Sequence, residues 1–445
     1  MNEIQRTYRG SAARTADQER LEGPRGPERA IAIASIARPL EEELRLGELR
    51  ELLRTAGADV IASLVQRRDR PDPRTYLGKG RLEELELLVE DTKANLVAAE
   101  GELTAGQQRT LEDRLKTRVV DRTGLILDIF AQHARSAEGK LQVELAQLEY
   151  SYSRQEGLWQ HLERLGGGIG TRGPGETQLE SDRRILRTRM GALRRRLREV
   201  ARSRDVMRGR RLASDLPRIA LAGYTNAGKS SLMNALTGAD VAVNDALFET
   251  LDPTTRAFEH NGMRFLVSDT VCYIRGLPHE LVDAFKATLE ETRDAQLILH
   301  VADASEPDER QEIQARAVDE VLEEIGAGEV PRLLVLNKFD RLDEEERADL
   351  ASRHPTAIPV SATTGLGLDV LRGRLATFAR TQLVRLELTV PYTEGRLLAE
   401  IHAAGSEVRQ QPEEDGTRVS ALMPAREAAR IRSALAALDG GAGKG

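Results

Sequence analysis

The chain has 445 residues, 40% hydrophobic and 31% charged, with a net charge of −7; it is too long for one ordinary core and predicts roughly three globular domains. Its single cysteine, Cys272, excludes an internal disulfide or a cysteine-rich zinc site, and 3% aromatic content argues against base stacking as the main mode of any nucleic-acid binding. The opening MNEIQRTYRG lacks the apolar core of a signal peptide, and no apolar run approaches the ~20 residues of a bilayer span, so a reducing cytoplasm is the expected compartment.

Residues 1–28 are polar and close on Gly23, Pro24, Gly26 and Pro27, the composition of a disordered tail. The apolar run 30–37 reads as a buried strand. A helix follows, with Leu44, Leu46, Leu49, Leu52 and Leu53 on one face. DVIASLVQ at 59–66 predicts a second strand, and NLVAAE at 95–100 a third. The Pro/Gly-rich PDPRTYLGKG between them leads into another helix. Alternating strand and helix predicts a small α/β domain with a parallel sheet over 29–135. From 136 to 213 the pattern turns helical, with Leu141, Leu145, Leu148 and Tyr152 at spacings of three and four. GGGIGTRGPG at 166–175 interrupts it, which predicts a hairpin of two helices. RIALAG, RFLVSD, LILHVAD and RLLVLNKFD are strand-like runs ending at polar residues. They predict a doubly wound domain over 214–380, with ligands at the carboxyl ends of its strands. Residues 381–438 open on the strand LVRLELTVPY and close on a helix, as in a small α+β domain. Residues 439–445 read as a flexible tail.

GYTNAGKS, comprising Gly223, Tyr224, Thr225, Asn226, Ala227, Gly228, Lys229 and Ser230, matches the phosphate-binding loop at every fixed position. Its glycines let backbone amides turn inward on an anion at a helix N-terminus. Lys229 then reaches the β- and γ-phosphates, and the Ser230 hydroxyl suits Mg2+. Thr250, Thr254 and Thr255 are the candidates for a second magnesium-side contact, from a loop between 241 and 256. Asp269, at the end of RFLVSD, supplies a carboxylate on the metal side. NKFD, comprising Asn337, Lys338, Phe339 and Asp340, reads the base. The Asp340 carboxylate accepts from guanine N1 and N2, whereas adenine offers no such pair. Asn337 braces the site and Lys338 lies over the purine. In the segment Ser361, Ala362, Thr363, the Ala362 amide can donate to guanine O6. The ligand expected is therefore GTP or GDP.

From Arg183 to Arg211 there are thirteen arginines against Glu199 and Asp205. So concentrated a basic segment in an acidic chain predicts a polyanionic partner. Arg172, Arg183, Arg184, Arg187, Arg194 and Arg195 are the candidate RNA contacts; the plainer alternative is a solvated face pairing with acidic neighbours. Trp159 reads as a packing anchor, His133 and His161 as isolated, and GKGR at 78–81 as a loop before a helix.

Longer strings narrow the reading. RPDPRTYLGKGRLEEL, DRTGLILDIFAQHARSAEGKLQVELAQL, GGGIGTRGPGETQLESDRR and LFETLDPTTR closely resemble the HflX family of ribosome-associated GTPases over about residues 30 to 430. The resemblance implies an α/β fold class: a P-loop GTPase domain with a doubly wound, mostly parallel sheet. A small α/β domain and a helical hairpin precede it, and a small α+β domain follows. It implies a magnesium-dependent GTPase that binds the large ribosomal subunit and its RNA, and that dissociates or rescues stalled or idle ribosomes; some members also hydrolyse ATP. It selects Thr250 as the magnesium threonine and places Phe248, Glu249, Thr250, Leu251 and Asp252, with Asp269, Thr270, Val271 and Cys272, at the nucleotide. Lys229, Thr250 and Asp269 become the catalytic set. A monomer is expected.

One departure bears on turnover. The family's DTVGF reads DTVCY here, and a Cβ at Cys272 makes a positive φ costly. Tyr273 then stands where Ras-type enzymes carry a water-orienting glutamine. Slow turnover by the free protein is expected, and Cys272→Gly is predicted to speed hydrolysis or sharpen the nucleotide dependence of ribosome binding in single-turnover assays. The alternative reading is a nucleotide-sensing RNA-binding module with negligible hydrolysis. A general ATPase is opposed by Asp340.

Overall fold

The computed structural model describes residues 28–37, 39–165, 174–213, 216–238, 254–269, 273–275 and 291–441; within them, side chains at 39–41, 155–165, 174–182, 203–213 and 437–441 are left out. Residues 1–27 of the predicted tail at 1–28 and most of the glycine-rich loop lie outside these residues, as do the sites at Arg172, Phe248, Glu249, Thr250, Leu251, Asp252, Thr270, Val271 and Cys272; Glu28 is already in a strand.

Short apolar runs at the start of the chain pair edge to edge. Strands β1 (Glu28–Ser35), β2 (Ala58–Gln66), β3 (Leu96–Ala99) and β4 (Arg118–Asp121) form a parallel sheet in the order β2-β1-β3-β4. Both faces are covered, which is why these strands read as continuous apolar runs. Ala30, Ala32 and Ala34 of β1 face helices α1 (Pro39–Thr55) and α4 (Arg122–His133). Ile31 and Ile33 point the other way, to α2 (Lys79–Thr92) and α3 (Ala105–Leu115). The β1/β3 switch point, where doubly wound domains bind ligands, is filled from within. The Tyr76 hydroxyl accepts from the Ser35 and Gly101 amides at 3.3 and 3.2 Å. Burial, with Glu100 nearby, pushes that phenol's pKa up to about 12. GKGR, expected as a loop before a helix, is instead the start of α2, with Gly78 as its N-cap and Lys79 to Arg81 in its first turn.

Helices α5 (Ala137–Leu165) and α6 (Pro174–Ala213) form the hairpin. Leu141 and Leu145 meet Met190 and Leu193, with Leu148, Tyr152, Leu197 and Val200 around them. Asp121, at the end of β4, ties the hairpin to the first sheet. Its carboxylate accepts from the Gly124 and Leu103 amides, the Tyr150 hydroxyl at 2.6 Å and the Arg154 guanidinium.

The second sheet runs β10-β9-β8-β5-β7-β6. Its strands are β5 (Arg218–Ala222), β6 (Thr254–His260), β7 (Met263–Asp269), β8 (Leu297–Asp303), β9 (Arg332–Asn337) and β10 (Ile358–Pro359). All neighbours are parallel except β6 on β7. Ile219 and Leu221 of β5 pack on α7 (Lys229–Thr237) and α10 (Leu368–Thr381). Ala220 and Ala222 face α8 (Asp308–Glu324) and, in the same apolar cluster, α1 and α4 of the first domain. The two sheets thus share a continuous core. Helix α9 (Glu344–Arg353) packs Leu350 beside Phe339.

The last unit holds the antiparallel sheet β11-β13-β12, formed by β11 (Leu383–Pro391), β12 (Ser406–Glu413) and β13 (Gly416–Pro424). Helices α11 (Gly395–Ala404) and α12 (Ala425–Gly441) cover one face. Helix α12 runs three residues past the predicted start of the tail, carried on from Ala428 and Ile431 in that core.

Candidate functional site

The polar groups read as nucleotide contacts lie where strands of the second sheet end. Strand β5 stops at Ala222, and the loop 223–228 turns the chain into α7. Two glycines are required by contact rather than by taste. A Cβ on Gly223 would stand 2.2 Å from the Val301 carbonyl oxygen. Gly228 has φ +85, and its Cβ would stand 2.3 Å from Asn337 Nδ2. Asn226 also adopts a positive φ, of 61, which asparagine tolerates better than most side chains.

Lys229 is buried, and its ammonium donates to the carbonyls of Gly223 and Tyr224 at 2.8 and 2.9 Å. The charge is therefore held directly over the loop, beside the amides that start α7. The Ser230 hydroxyl lies 2.8 Å from Asp269 Oδ2 at the end of β7. A hydroxyl and a carboxylate oxygen side by side suit a hard cation that keeps most of its waters, as magnesium does. Among the described residues no group of three or more His, Cys, Asp or Glu could hold a metal. Of the other threonine candidates, Thr255 is on β6 with its Oγ1 2.9 Å from Ser268 Oγ, and Thr254 pairs with Asp269 across the strands. The loop expected up to 256 gives way to strand at Thr254, because TTRAFEH completes the edge of the sheet.

Asn337, at the end of β9, joins two loops. Its Nδ2 donates to the Ala227 carbonyl at 2.9 Å, and its Oδ1 accepts from the Ala362 amide at 3.1 Å. Lys338 takes φ 61, and its ammonium pairs with Asp303 Oδ2 at 2.7 Å. Asp303, at the end of β8, went unread in the sequence. Phe339 is buried and its amide donates to the Val360 carbonyl at 3.1 Å, which leaves the neighbouring Asp340 exposed at the rim. Ser361 is fully buried and holds the turn through its hydroxyl, which accepts from the Thr364 amide and lies 3.3 Å from Thr363 Oγ1. The structure thus brings together residues 223–230, Asp269, 337–340 and 361–363. The set can hold an anion with amides and an ammonium, carry a cation on Ser230 and Asp269, and present a carboxylate and an amide to a base.

Tyr224 belongs to this set by its backbone alone, since its side chain is packed in the apolar cluster between the two sheets. Tyr273 is 1% exposed in the same cluster.

Of the six arginines proposed for RNA, three make contacts within the hairpin, two are exposed on α6 and one is not described. Arg183 and Arg187 donate to the Tyr152 hydroxyl at 3.2 and 2.7 Å, and Arg194 pairs with Glu149 at 2.7 Å. Part of the basic segment therefore fastens the hairpin, with Arg189 on Glu144 adding another cross-link. Arg184 and Arg195 are exposed on α6, alongside Arg196, Arg198 and Arg202. The sixth, Arg172, falls outside the described residues.

Three family models match consecutive stretches of the chain. They are described as GTP-binding GTPase N-terminal, over residues 43–131, GTP-binding GTPase Middle Region, over 133–211, and 50S ribosome-binding GTPase, over 218–338. The chain is similar to a protein named GTPase HflX from Caldanaerobacter subterraneus subsp. tengcongensis. The two are 46% identical over 412 residues, 92% of this chain and 94% of that one. It is likewise 45% identical over 375 residues to GTPase HflX of Escherichia coli strain K12, covering 84% of this chain and 88% of that one. Among solved structures it is similar to a GTP-binding protein from the hyperthermophilic archaeon Sulfolobus solfataricus in complex with GDP. That likeness has 25% identity, coverage of 79% of this chain and 99% of that chain, and a TM-score of 0.43.

Proposed function

Because the chain belongs to the HflX family of GTPases, we propose that this GTP-binding, GTP-hydrolysing enzyme acts on the large ribosomal subunit and splits or rescues stalled or idle ribosomes. The observation that carries the nucleotide half is the meeting of Lys229, the Ser230–Asp269 pair and the Asn337-braced loops at one sheet edge. The ribosomal half is supported by the exposed arginines of α6 and by the 50S ribosome-binding description of the matched model.

In this reading the division 29–135, 136–213, 214–380 and 381–438 separates a first α/β domain, the hairpin, the GTPase domain and an α+β domain. Amides of 223–230 and the Lys229 ammonium hold the phosphates. Asp340 and the Ala362 amide read guanine. Ser230 and Asp269 are the described residues that would hold Mg2+, with Thr250 as the further ligand. Bound magnesium would neutralise charge developing on the transferred phosphoryl group. Residues 248–252 and 270–272 complete the nucleotide contacts. The side chain at Tyr273 is packed in the core, so the chain offers no water-orienting group there and free turnover is slow. In this reading the enzyme works in the cytoplasm, as a monomer. Among the described residues no helix is long and apolar enough to cross a membrane.

Co-sedimentation with large subunits in GTP-analogue, GDP and nucleotide-free conditions tests the assignment. Binding is expected to be strongest with the GTP analogue, and single-turnover GTP cleavage to speed up when subunits are added. Reversing the two exposed charges (Arg184→Glu with Arg195→Glu) should weaken binding and lower the log–log salt slope by about 2. Binding that ignores both nucleotide and these arginines would remove the ribosomal half of the reading.

A further inference from the structure

Charged groups outside the nucleotide pocket meet behind it, where the first sheet's carboxyl edge abuts the phosphate loop. Glu48 on α1 and Arg122 at the start of α4 are each 5% exposed, and Glu100, just past β3, is 7% exposed. Glu48 Oε2 accepts from Arg122 Nη2 at 2.8 Å, and Oε1 accepts from the Tyr224 hydroxyl at 2.5 Å. The same Arg122 nitrogen donates to the Arg275 carbonyl at 3.0 Å. The Arg275 amide donates to the Tyr224 hydroxyl, also at 3.0 Å. The Arg275 guanidinium sits 3.3 Å from Glu100 Oε1 and 3.7 Å from Glu48 Oε2, and Arg45 closes the group on Glu100 at 3.5 Å. Burial opposes the charge on Arg122, but Glu48, Tyr224 and Glu100 outweigh it and raise its pKa.

A buried ion cluster of this kind adds little stability over an apolar contact of the same volume. What it adds here is a fixed main chain. Both backbone polar groups of Arg275 are held, and Tyr224 is the second residue of the phosphate loop. Two residues earlier, Tyr273 is bonded to that loop directly, with Thr225 N donating to Tyr273 O at 2.9 Å and Tyr273 N to Gly223 O at 3.3 Å. Asp269 is held at the other end by β7 and Ser230. Tyr273 is thus held by the phosphate loop and Arg275 by the first domain.

We propose that Glu48 and Arg122 are positioning residues for GTP hydrolysis: acting through Tyr224 and Arg275, the N-terminal domain holds residues 273–275 against the phosphate loop. The proposal rests on the GTPase reading of the site and adds that one domain completes the other's site. It differs from a merely structural contact in what it leaves alone. Base contacts lie on other loops, and the phosphate loop meets the nucleotide through Lys229 and main-chain amides rather than the Tyr224 hydroxyl, so nucleotide affinity stays put while the rate changes.

Two full-length variants test it. Glu48→Gln removes the charge that gathers Arg122, Arg275 and Tyr224, and Tyr224→Phe removes one hydroxyl while keeping the ring in the core. Each is expected to lower kcat at saturating GTP by roughly 5- to 20-fold, the scale of one or two hydrogen bonds. KM for GTP and the dissociation constant of a fluorescent GDP analogue should stay within about twofold. The double variant should be no slower than the slower single, because both cut one connection. Folding is checked by a single cooperative thermal transition. An unchanged or raised kcat in either folded variant would overturn the proposal. So would losses that multiply in the double variant, or a GDP affinity that falls with the rate. Failure of the unaltered chain to bind GDP would instead remove the nucleotide reading on which it stands.

Discussion

Gly228→Ala is expected to weaken GDP and GTP binding by about a hundredfold, measured by titration calorimetry or by a fluorescent nucleotide. Two costs add. The residue sits at φ +85, where a side chain costs about 1–3 kcal/mol. The new methyl would also arrive 2.3 Å from Asn337 Nδ2. That amide has nowhere to retreat, since it is bonded to the Ala227 carbonyl on one side and the Ala362 amide on the other. Pushing it aside breaks bonds worth roughly 1 kcal/mol each and moves the base-reading loop with the phosphate loop. A total near 3 kcal/mol corresponds to about two decades in affinity. Gly238 supplies the control. It closes the same helix at φ +67, but a Cβ there meets nothing within 4 Å. Gly238→Ala should therefore reduce stability slightly and leave nucleotide affinity within about threefold. Equal effects at both positions would mean that helix α7, and not the cradle, is what the substitution damages.

The contrast between those two glycines also explains what could be read in advance. The phosphate loop and NKFD are local: their chemistry lies within a few consecutive residues, so spacing alone identifies them. The buried parallel strands are legible for a related reason, because RIALA, LILHVAD and RLLVLN are apolar on both faces. Strand β6 was hidden, since TTRAFEH is an edge strand whose threonines resemble a loop. Strand β12, SEVRQQPE, is almost wholly exposed and carries no apolar signal at all. Helix α3 could have been found. Its Thr104–Gln107 capping box is written in the sequence as T-x-x-Q and is formed in the structure. The interdomain cluster could not be found by spacing, because Glu48 and Tyr224 meet across 176 positions. Its one sequence trace is a charge inside an apolar stripe, Glu48 between Leu46 and Leu49, both buried. Such a residue signals a buried partner without saying which. The basic helix allowed two readings from the start, an RNA-facing surface or a face pairing with acidic neighbours. Of its thirteen arginines, Arg183, Arg187, Arg189 and Arg194 meet Tyr152, Glu144 and Glu149 within the hairpin, and composition could not say which ones would.

Asp340→Asn is expected to cost roughly two to three decades of GTP affinity and to transfer preference to xanthosine nucleotides. The backbone around this carboxylate is fixed from several directions. Lys338 is in the left-handed region at φ 61, the Phe339 amide is bonded to Val360, and Arg341 N donates to the Lys338 carbonyl at 3.0 Å. Phe339 anchors the turn in a small apolar cluster with Leu336 and Leu350. Asp340 is left exposed at the mouth, so replacing it by its isostere leaves the turn intact and changes only what is offered to the base. A carboxylate accepts from both the N1 and N2 donors of guanine, and hydrogen bonds to a charged group contribute about 1.5–3 kcal/mol each. Asparagine keeps one acceptor and turns the other into a donor facing the N2 amine. Xanthine carries a carbonyl at that carbon, so the same donor then finds an acceptor. Competition of GDP, ADP and xanthosine diphosphate for one fluorescent probe reads all of this in a single experiment. ADP should gain nothing, because adenine lacks a donor at N1 and the xanthine carbonyl alike. If the variant still prefers GDP over xanthosine diphosphate, then Asp340 does not face the base, and the 337–340 loop serves only to brace the phosphate loop through Asn337.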